Sequence, residues 1–214
     1  MTTKETVKKE KLIAILRGIP VKKICLLADA LHKGGINLIE VTFDPKSPDN
    51  FETTESIKLI KEMFHGAVGV GAGTVLTVEQ VHKAKEAGTE YIISPNTNEA
   101  VIKETKKLGM ISIPGALTPT EIEAAHEYGA DFVKVFPVSS LGVPYLKAVA
   151  APLSHIDLIA VGGVRPENIK DYLKAGACGV GASGSMVNRE WLQNGELEKI
   201  TACAKEYADA VRMA

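Results

Sequence analysis

The 214-residue sequence lacks the features that mark membrane, secreted and nucleic-acid-binding proteins. No apolar segment approaches the roughly 20 residues of a membrane-spanning helix, and the charged start MTTKETVKKEK contains no apolar core of a signal peptide. Lysine and arginine number 25 against 26 aspartates and glutamates, so the formal net charge of -1 predicts no basic surface for nucleic acid or anionic lipid. We therefore expect a cytoplasmic protein with no membrane or nucleic-acid partner.

Cysteine is scarce, and no histidine falls where a catalytic metal would be bound. The three cysteines are far apart and lack CxxC spacing, which predicts neither a disulfide framework nor a zinc site; they are Cys25, Cys178 and Cys203. The five histidines lie in helical patterns or ahead of predicted strands, away from the strand ends that would face a substrate. These are His32, His82, His126, His65 and His155. We expect no catalytic metal and no cofactor.

One pattern, a helix end followed by a glycine and a short β-branched run, occurs five times. The segments are KGGINLIEVT (33–42), EAGTEYIISP (86–95), KLGMISIPG (107–115), EYGADFVKVF (127–136) and KAGACGVGAS (174–183). The glycine stands where a left-handed residue commonly ends a helix, one or two residues before the strand begins. The repeat therefore predicts one αβ loop used at Gly35, Gly88, Gly109, Gly129 and Gly176.

Strand and helix patterns alternate along the whole chain. Three further strand candidates, LIAILR (12–17), AVGVGAG (67–73) and DLIAVGG (157–163), bring the number to eight, each followed by a helical pattern. Right-handed crossovers between parallel strands bury both faces of a sheet, which predicts an α/β fold with a single domain over residues 1–214, a (β/α)8 TIM barrel. An open doubly wound sheet is the alternative, although no GxGxxG motif opens the first helix.

Polar and charged residues occupy inward-facing positions at the ends of several predicted strands. Alternate residues of a strand point to the same face, so Arg17, Glu40 and Lys134 are predicted to converge at the carboxyl ends of the strands. Thr74 after the third strand and Pro95 after the fourth belong to the same end of the barrel. Active sites of such barrels lie at this end.

Lys134 stands in the apolar run DFVKVFP (131–137). Apolar surroundings disfavour the charged form of an amine, so a larger fraction is the neutral amine that attacks carbonyl carbons. The hypothesis is a Schiff base between Lys134 and a keto substrate, with Glu40 moving protons during formation of the imine and cleavage of a neighbouring carbon–carbon bond. The alternative is an inert buried ion pair of Lys134 with Glu40.

Glycines and a serine end the last two strands, in VGGV (161–164) and GVGASGS (179–185). Barrels commonly bind phosphate here through backbone N–H groups, which predicts an anion site at Gly162, Gly163, Gly181, Ser183 and Gly184. The alternative is that these glycines only provide tight turns and close packing.

The chain resembles the KDPG/KHG aldolases, which act on 2-keto-3-deoxy-6-phosphogluconate (KDPG) and 4-hydroxy-2-oxoglutarate (KHG). The motifs AILRG, LIEVTF, VGAGTV, YIISPN, IPGALTPTE, DFVKVFP and VGGV carry this resemblance over almost the whole chain. It implies a class I aldolase that releases pyruvate and an aldehyde, either glyceraldehyde 3-phosphate or glyoxylate. It also implies a homotrimer, the Schiff base at Lys134, the acid/base at Glu40, and pyruvate contacts from Arg17, Thr74 and Pro95.

Departures from the family pattern concern the substrate. Asp44 and Pro45 stand where an arginine often helps to bind substrate, and Val161 replaces a threonine before the paired glycines. Gly184 holds the position of the phosphate-binding serine, between Ser183 and Ser185. The physiological keto acid and its phosphorylation therefore stay open. A relative acting on another 2-keto-3-deoxy sugar acid, such as 2-keto-3-deoxy-6-phosphogalactonate, and a non-catalytic sugar-phosphate-binding barrel are the alternatives.

Overall fold

The computed structural model describes residues 1–47 and 49–214, which form nine strands and ten α-helices. The strands are β1 (Leu12–Leu16), β2 (Leu38–Thr42), β3 (Gly69–Gly73), β4 (Tyr91–Ile93), β5 (Ile111–Ile113), β6 (Gly115–Ala116), β7 (Val133–Val135), β8 (Leu158–Val161) and β9 (Ala177–Ala182). The helices are α1 (Thr3–Glu10), α2 (Val21–Lys33), α3 (Phe51–Phe64), α4 (Val78–Ala87), α5 (Glu99–Lys107), α6 (Pro119–Glu127), α7 (Gly142–Ala150), α8 (Pro166–Lys174), α9 (Arg189–Asn194) and α10 (Leu197–Arg212). None of these helices is long and apolar enough to cross a membrane.

All strand pairs are parallel, in the order β5-β4-β3-β2-β1-β9-β8-β7-β6, and the predicted barrel is confirmed. It differs from the prediction at the fifth strand, which Pro114 divides into β5 and β6. Proline has no N–H to donate, so the segment pairs with β4 before Pro114 and with β7 after it. The N–H of Lys134 donates to the carbonyl of Pro114 at 2.8 Å, which helps to close the ring of strands.

The repeated loop is also confirmed, because the glycine at each of its five predicted places has a positive φ, between +74° and +112°. Each such glycine turns the chain from a helix into the next strand without the steric cost that a side chain would add. The five loops therefore share one backbone conformation at the glycine. The glycines are Gly35, Gly88, Gly109, Gly129 and Gly176.

Two apolar clusters stabilise the barrel. The larger lies between the sheet and the surrounding helices, and the smaller fills the interior of the ring. The interior cluster includes Ile13, Ile15, Leu38 and Phe132, which confirms the predicted inward face of β1, β2 and the segment that enters β7. Val7 of α1 joins the same cluster, so the first helix covers the amino-terminal end of the barrel and leaves the carboxyl-terminal end open.

Candidate active site

Arg17, Glu40 and Lys134 lie close enough to one another to influence each other's charge. Glu40 pairs with Ile15 across the sheet, and Arg17 follows β1 directly, so the guanidinium group stands at the mouth next to β2. The Arg17 and Lys134 charges both stabilise the Glu40 carboxylate, and Arg17 also acts on Lys134. The structure thus brings together the three residues that the sequence placed at the strand ends.

Lys134 is a buried amine in β7, with only 5% of its surface exposed. Its Nζ lies 4.8 Å from the centre of the Phe136 ring, and it forms no ion pair with any carboxylate in the described part of the chain. Burial lowers the pKa of Lys134 below the ordinary value of 10.5, although Glu40 raises it in part. A larger fraction of this amine is therefore neutral than for a surface lysine.

Glu40 is 1% exposed, and its Oε1 has no hydrogen-bond partner among the described residues. Burial raises the pKa of Glu40 above the ordinary value of 4.5, while the charges of Lys134 and Arg17 lower it in part. The direct ion pair that an inert role would require is not formed between these two described residues. Glu40 thus has a free oxygen and a raised affinity for protons, as a general acid/base requires.

The raised pKa of Glu40 makes a testable contribution to stability. The unfolded chain loses the Glu40 proton near pH 4.5, whereas the folded protein holds it to higher pH, so this residue favours unfolding increasingly above pH 4.5. Glutamine does not titrate, so the unfolding free energy of Glu40→Gln minus that of wild type should increase from about pH 4 to about pH 7. Urea unfolding at the two pH values measures this difference. A difference that stays constant or decreases would contradict the raised pKa.

Thr74 and Pro95 occupy the ends of β3 and β4, as expected from the sequence. Thr74 is buried and has a φ of +56°, a left-handed conformation that is rare and costly for a β-branched residue. Backbone strain of this kind is concentrated at functional sites. Pro95 is half-buried. A side chain at Gly115 would lie 2.4 Å from the carbonyl carbon of Pro95, so the end of β4 is in close contact with β6.

The predicted anion-binding residues occupy two kinds of position. Gly162 and Gly163 have φ values of +105° and +68° and pack against residues 137–139. Ser183 is half-buried, and Gly184 is exposed with a φ of +59°. Gly181 instead lies within β9, where a Cβ would meet side chains of Val161 and Ile15, so close packing accounts for this glycine.

Two cavities open at the mouth of the barrel. The larger, of about 570 Å³, is lined by Arg17, Thr42, Asp44 and Glu52, and the smaller, of about 490 Å³, by Arg17, Ser183 and Gly184. Both cavities mix acidic and basic groups, because Glu190 also lines the smaller one. The second lies beside the predicted anion-binding loop after β9.

Arg189 lines both cavities and was missed by the sequence reasoning. Its Nη2 donates to the carbonyl of Arg17 at 2.8 Å, and the guanidinium group packs against Gly18. It forms no ion pair with any carboxylate of the described residues. The two residues are 172 positions apart in the chain, so only the folded protein reveals that they are in contact.

Comparison with known proteins finds similar sequences over nearly the whole chain. The family model of KDPG and KHG aldolases matches residues 3–203. The chain is 35% identical over 202 residues to the 2-dehydro-3-deoxy-6-phosphogalactonate aldolase of Escherichia coli strain K12, which covers 94% of this chain and 96% of the relative. It is 33% identical over 211 residues to the 2-dehydro-3-deoxy-phosphogluconate aldolase of Treponema pallidum strain Nichols, with 96% of each protein covered.

A solved structure extends the similarity to three dimensions. The KDPG aldolase from Legionella pneumophila, with pyruvate captured at low pH as a covalent carbinolamine intermediate, matches with a TM-score of 0.85 at 26% identity. The match covers 95% of this chain and 97% of that one. The barrel described above is thus shared with an aldolase that binds pyruvate covalently.

Proposed function

Because the chain belongs to the KDPG and KHG aldolase family, a family of class I pyruvate aldolases, we propose that it acts through a Schiff base at Lys134. The chain is a carbon–carbon lyase, and the proposal concerns how its residues perform the cleavage. The observation that supports it is a buried lysine without an ion-pair partner beside a buried carboxylate at the open end of the barrel.

The neutral amine of Lys134 would attack the C2 carbonyl carbon of a 2-keto-4-hydroxy acid to give a carbinolamine. Loss of water then leaves a protonated imine, which withdraws electrons from C3. Removal of the C4 hydroxyl proton breaks the C3–C4 bond, the aldehyde departs, and the bonding electrons move into an enamine. Protonation of C3 and hydrolysis of the imine release pyruvate and restore the amine.

Glu40 is suited to the proton transfers in this sequence of steps. Its free Oε1 would accept the proton of the C4 hydroxyl and return a proton to C3, and it would supply the proton for dehydration of the carbinolamine. Arg17 at the mouth would bind the substrate carboxylate by charge-assisted hydrogen bonds. Thr74 and Pro95 would line the remaining side of the pyruvate moiety.

The names of the relatives give the substrates to test. KDPG and KHG are the leading candidates, and 2-keto-3-deoxy-6-phosphogalactonate is the alternative that the Escherichia coli relative favours. A pyruvate-release assay coupled to lactate dehydrogenase compares kcat/KM for the three. The proposal requires pyruvate from at least one of them, and no release from any would contradict it.

Arg189 should distinguish phosphorylated substrates from unphosphorylated ones. We place the distal phosphate in the smaller cavity, which Arg189 lines together with the loop of Ser183 and Gly184. A hydrogen bond to a charged group contributes about 1.5–3 kcal/mol, so Arg189→Ala should lower kcat/KM for a 6-phosphorylated sugar acid by roughly 10- to 100-fold. The value for the unphosphorylated counterpart should change by less than about threefold.

Arg212→Ala is the matched control, because it removes the same charge at the amino-terminal end of the barrel beside Gly35. Equal effects of Arg189→Ala on both substrates would rule out a phosphate contact.

A homotrimer and a cytoplasmic location complete the proposal. Sedimentation equilibrium of the purified protein tests the trimer, and cell fractionation tests the location.

A further inference from the structure

The inward face of β3 consists of glycines alone. Gly69, Gly71 and Gly73 pair with Leu38, Glu40 and Thr42 of β2, and these β2 residues point into the barrel. Register partners in a parallel pair point to the same face, so three successive interior positions carry no side chain. The space above them is filled by side chains from β2 and β4.

The geometry shows which side chain uses each gap. A Cβ at Gly71 would lie 2.0 Å from the ring of Tyr91, whose hydroxyl donates to the carbonyl of Ile39 at 2.7 Å. A Cβ at Gly73 would lie 1.7 Å from Oε1, 2.4 Å from Cδ and 2.6 Å from Cγ of Glu40. The outer half of the Glu40 side chain therefore occupies the place where a Gly73 side chain would stand.

Packing accounts for the position of this carboxylate because polar contacts do not. Oε1 of Glu40 has no hydrogen-bond partner and Glu40 forms no ion pair within the residues described. The Tyr91 ring covers Gly71, the next inward position of β3, and blocks that side. A methyl group at position 73 would thus displace the Glu40 carboxylate. The nearest atoms that it meets belong to the Glu40 side chain, so the backbone of the barrel need not move.

We propose that Gly73 is a positioning residue for Glu40: the missing side chain on β3 creates the gap that fixes the carboxylate at the mouth of the barrel. The consequence for catalysis rests on the proposed function, in which Glu40 transfers protons. The packing of Glu40 against Gly73 is independent of the proposed function. The two parts are therefore tested by separate measurements.

The first measurement is a cycle of unfolding free energies, which needs no activity. Gly73→Ala should be destabilising in the wild type and much less destabilising in a Glu40→Ala background, because that change removes all three atoms that the new methyl group meets. Gly69→Ala, the same substitution on the same face of β3, meets the end of the Leu38 side chain at 2.9 Å, and none of the three atoms nearest to the new methyl group belongs to Glu40, so it serves as the control. Its effect should be the same in both backgrounds. Equal destabilisation by Gly73→Ala in both backgrounds would overturn the proposal.

The second measurement is a cycle of kcat for pyruvate release. Gly73→Ala should lower kcat by about 10²- to 10³-fold, within the usual contribution of a general acid/base, and should alter the limb of the pH profile that reports Glu40. In a Glu40→Gln background the same change should lower the residual kcat by less than about threefold, since the group that it displaces no longer transfers protons. Equal factors in both backgrounds would refute action through Glu40. Wild type that releases no pyruvate would count against the proposed function alone, and the stability cycle would then decide the packing relation.

Discussion

Replacing Lys134 by methionine is expected to lower aldol cleavage to background, a loss of roughly 10⁴- to 10⁶-fold, as for removal of other covalent nucleophiles. Methionine keeps the unbranched, flexible shape but has no amine, so neither carbinolamine nor imine can form. The side chain of Lys134 is buried among apolar neighbours, which accommodate a thioether at little cost. The protein should therefore remain folded.

The measurement is pyruvate release with the best wild-type substrate, together with a circular dichroism melting curve. Lys170→Met, an exposed lysine of α8, is the matched control and should keep wild-type activity. Lys134→Met should also raise the pKa of Glu40 further, because the charge of Lys134 is one of the two that lower the pKa of Glu40. A folded Lys134→Met protein with substantial activity would end the role assigned to Lys134.

Replacing Glu40 by glutamine is expected to slow cleavage by roughly two to four orders of magnitude, the usual contribution of general acid/base catalysis. Glutamine has the same shape and fills the same gap above Gly73, so the amine and the arginines should stay in place. The loss should appear mainly in kcat, because the amide can hold the substrate but cannot take or give the proton. Substrate binding should therefore be nearly retained.

Steady-state kinetics separate kcat from KM, and Glu198→Gln, at an exposed position of α10, is the control. An unchanged kcat would show that another group carries the protons. A rise in KM with kcat retained would instead make Glu40 a binding residue. Either result would require a different acid/base in the barrel.

The barrel and its buried lysine could be predicted because both follow from local, periodic patterns. The repeated glycine marked the end of five helices, and alternation along the strands placed Glu40 and Lys134 inside. The break at Pro114 was also within reach, since proline is rare within a paired strand. Its place in the apparent fifth strand was the available signal.

What the sequence could not reveal depends on contacts between distant segments. Arg189 reaches the site only because α9 lies against the loop after β1, a contact that no spacing encodes. Gly73 reads as one glycine among several until the Glu40 side chain is seen in its gap. For Gly181 the sequence predicted an anion-binding position, whereas in the structure this glycine lies inside β9 and allows close packing there.

The central claim is the covalent bond between Lys134 and a keto acid, and reduction with borohydride tests it most directly. The wild-type protein is incubated with pyruvate and sodium borohydride, digested, and analysed by mass spectrometry. The account requires the reduced pyruvate adduct on the peptide that contains Lys134, and its absence when pyruvate or borohydride is omitted. An adduct on another lysine, or no adduct from a preparation that releases pyruvate, would contradict it.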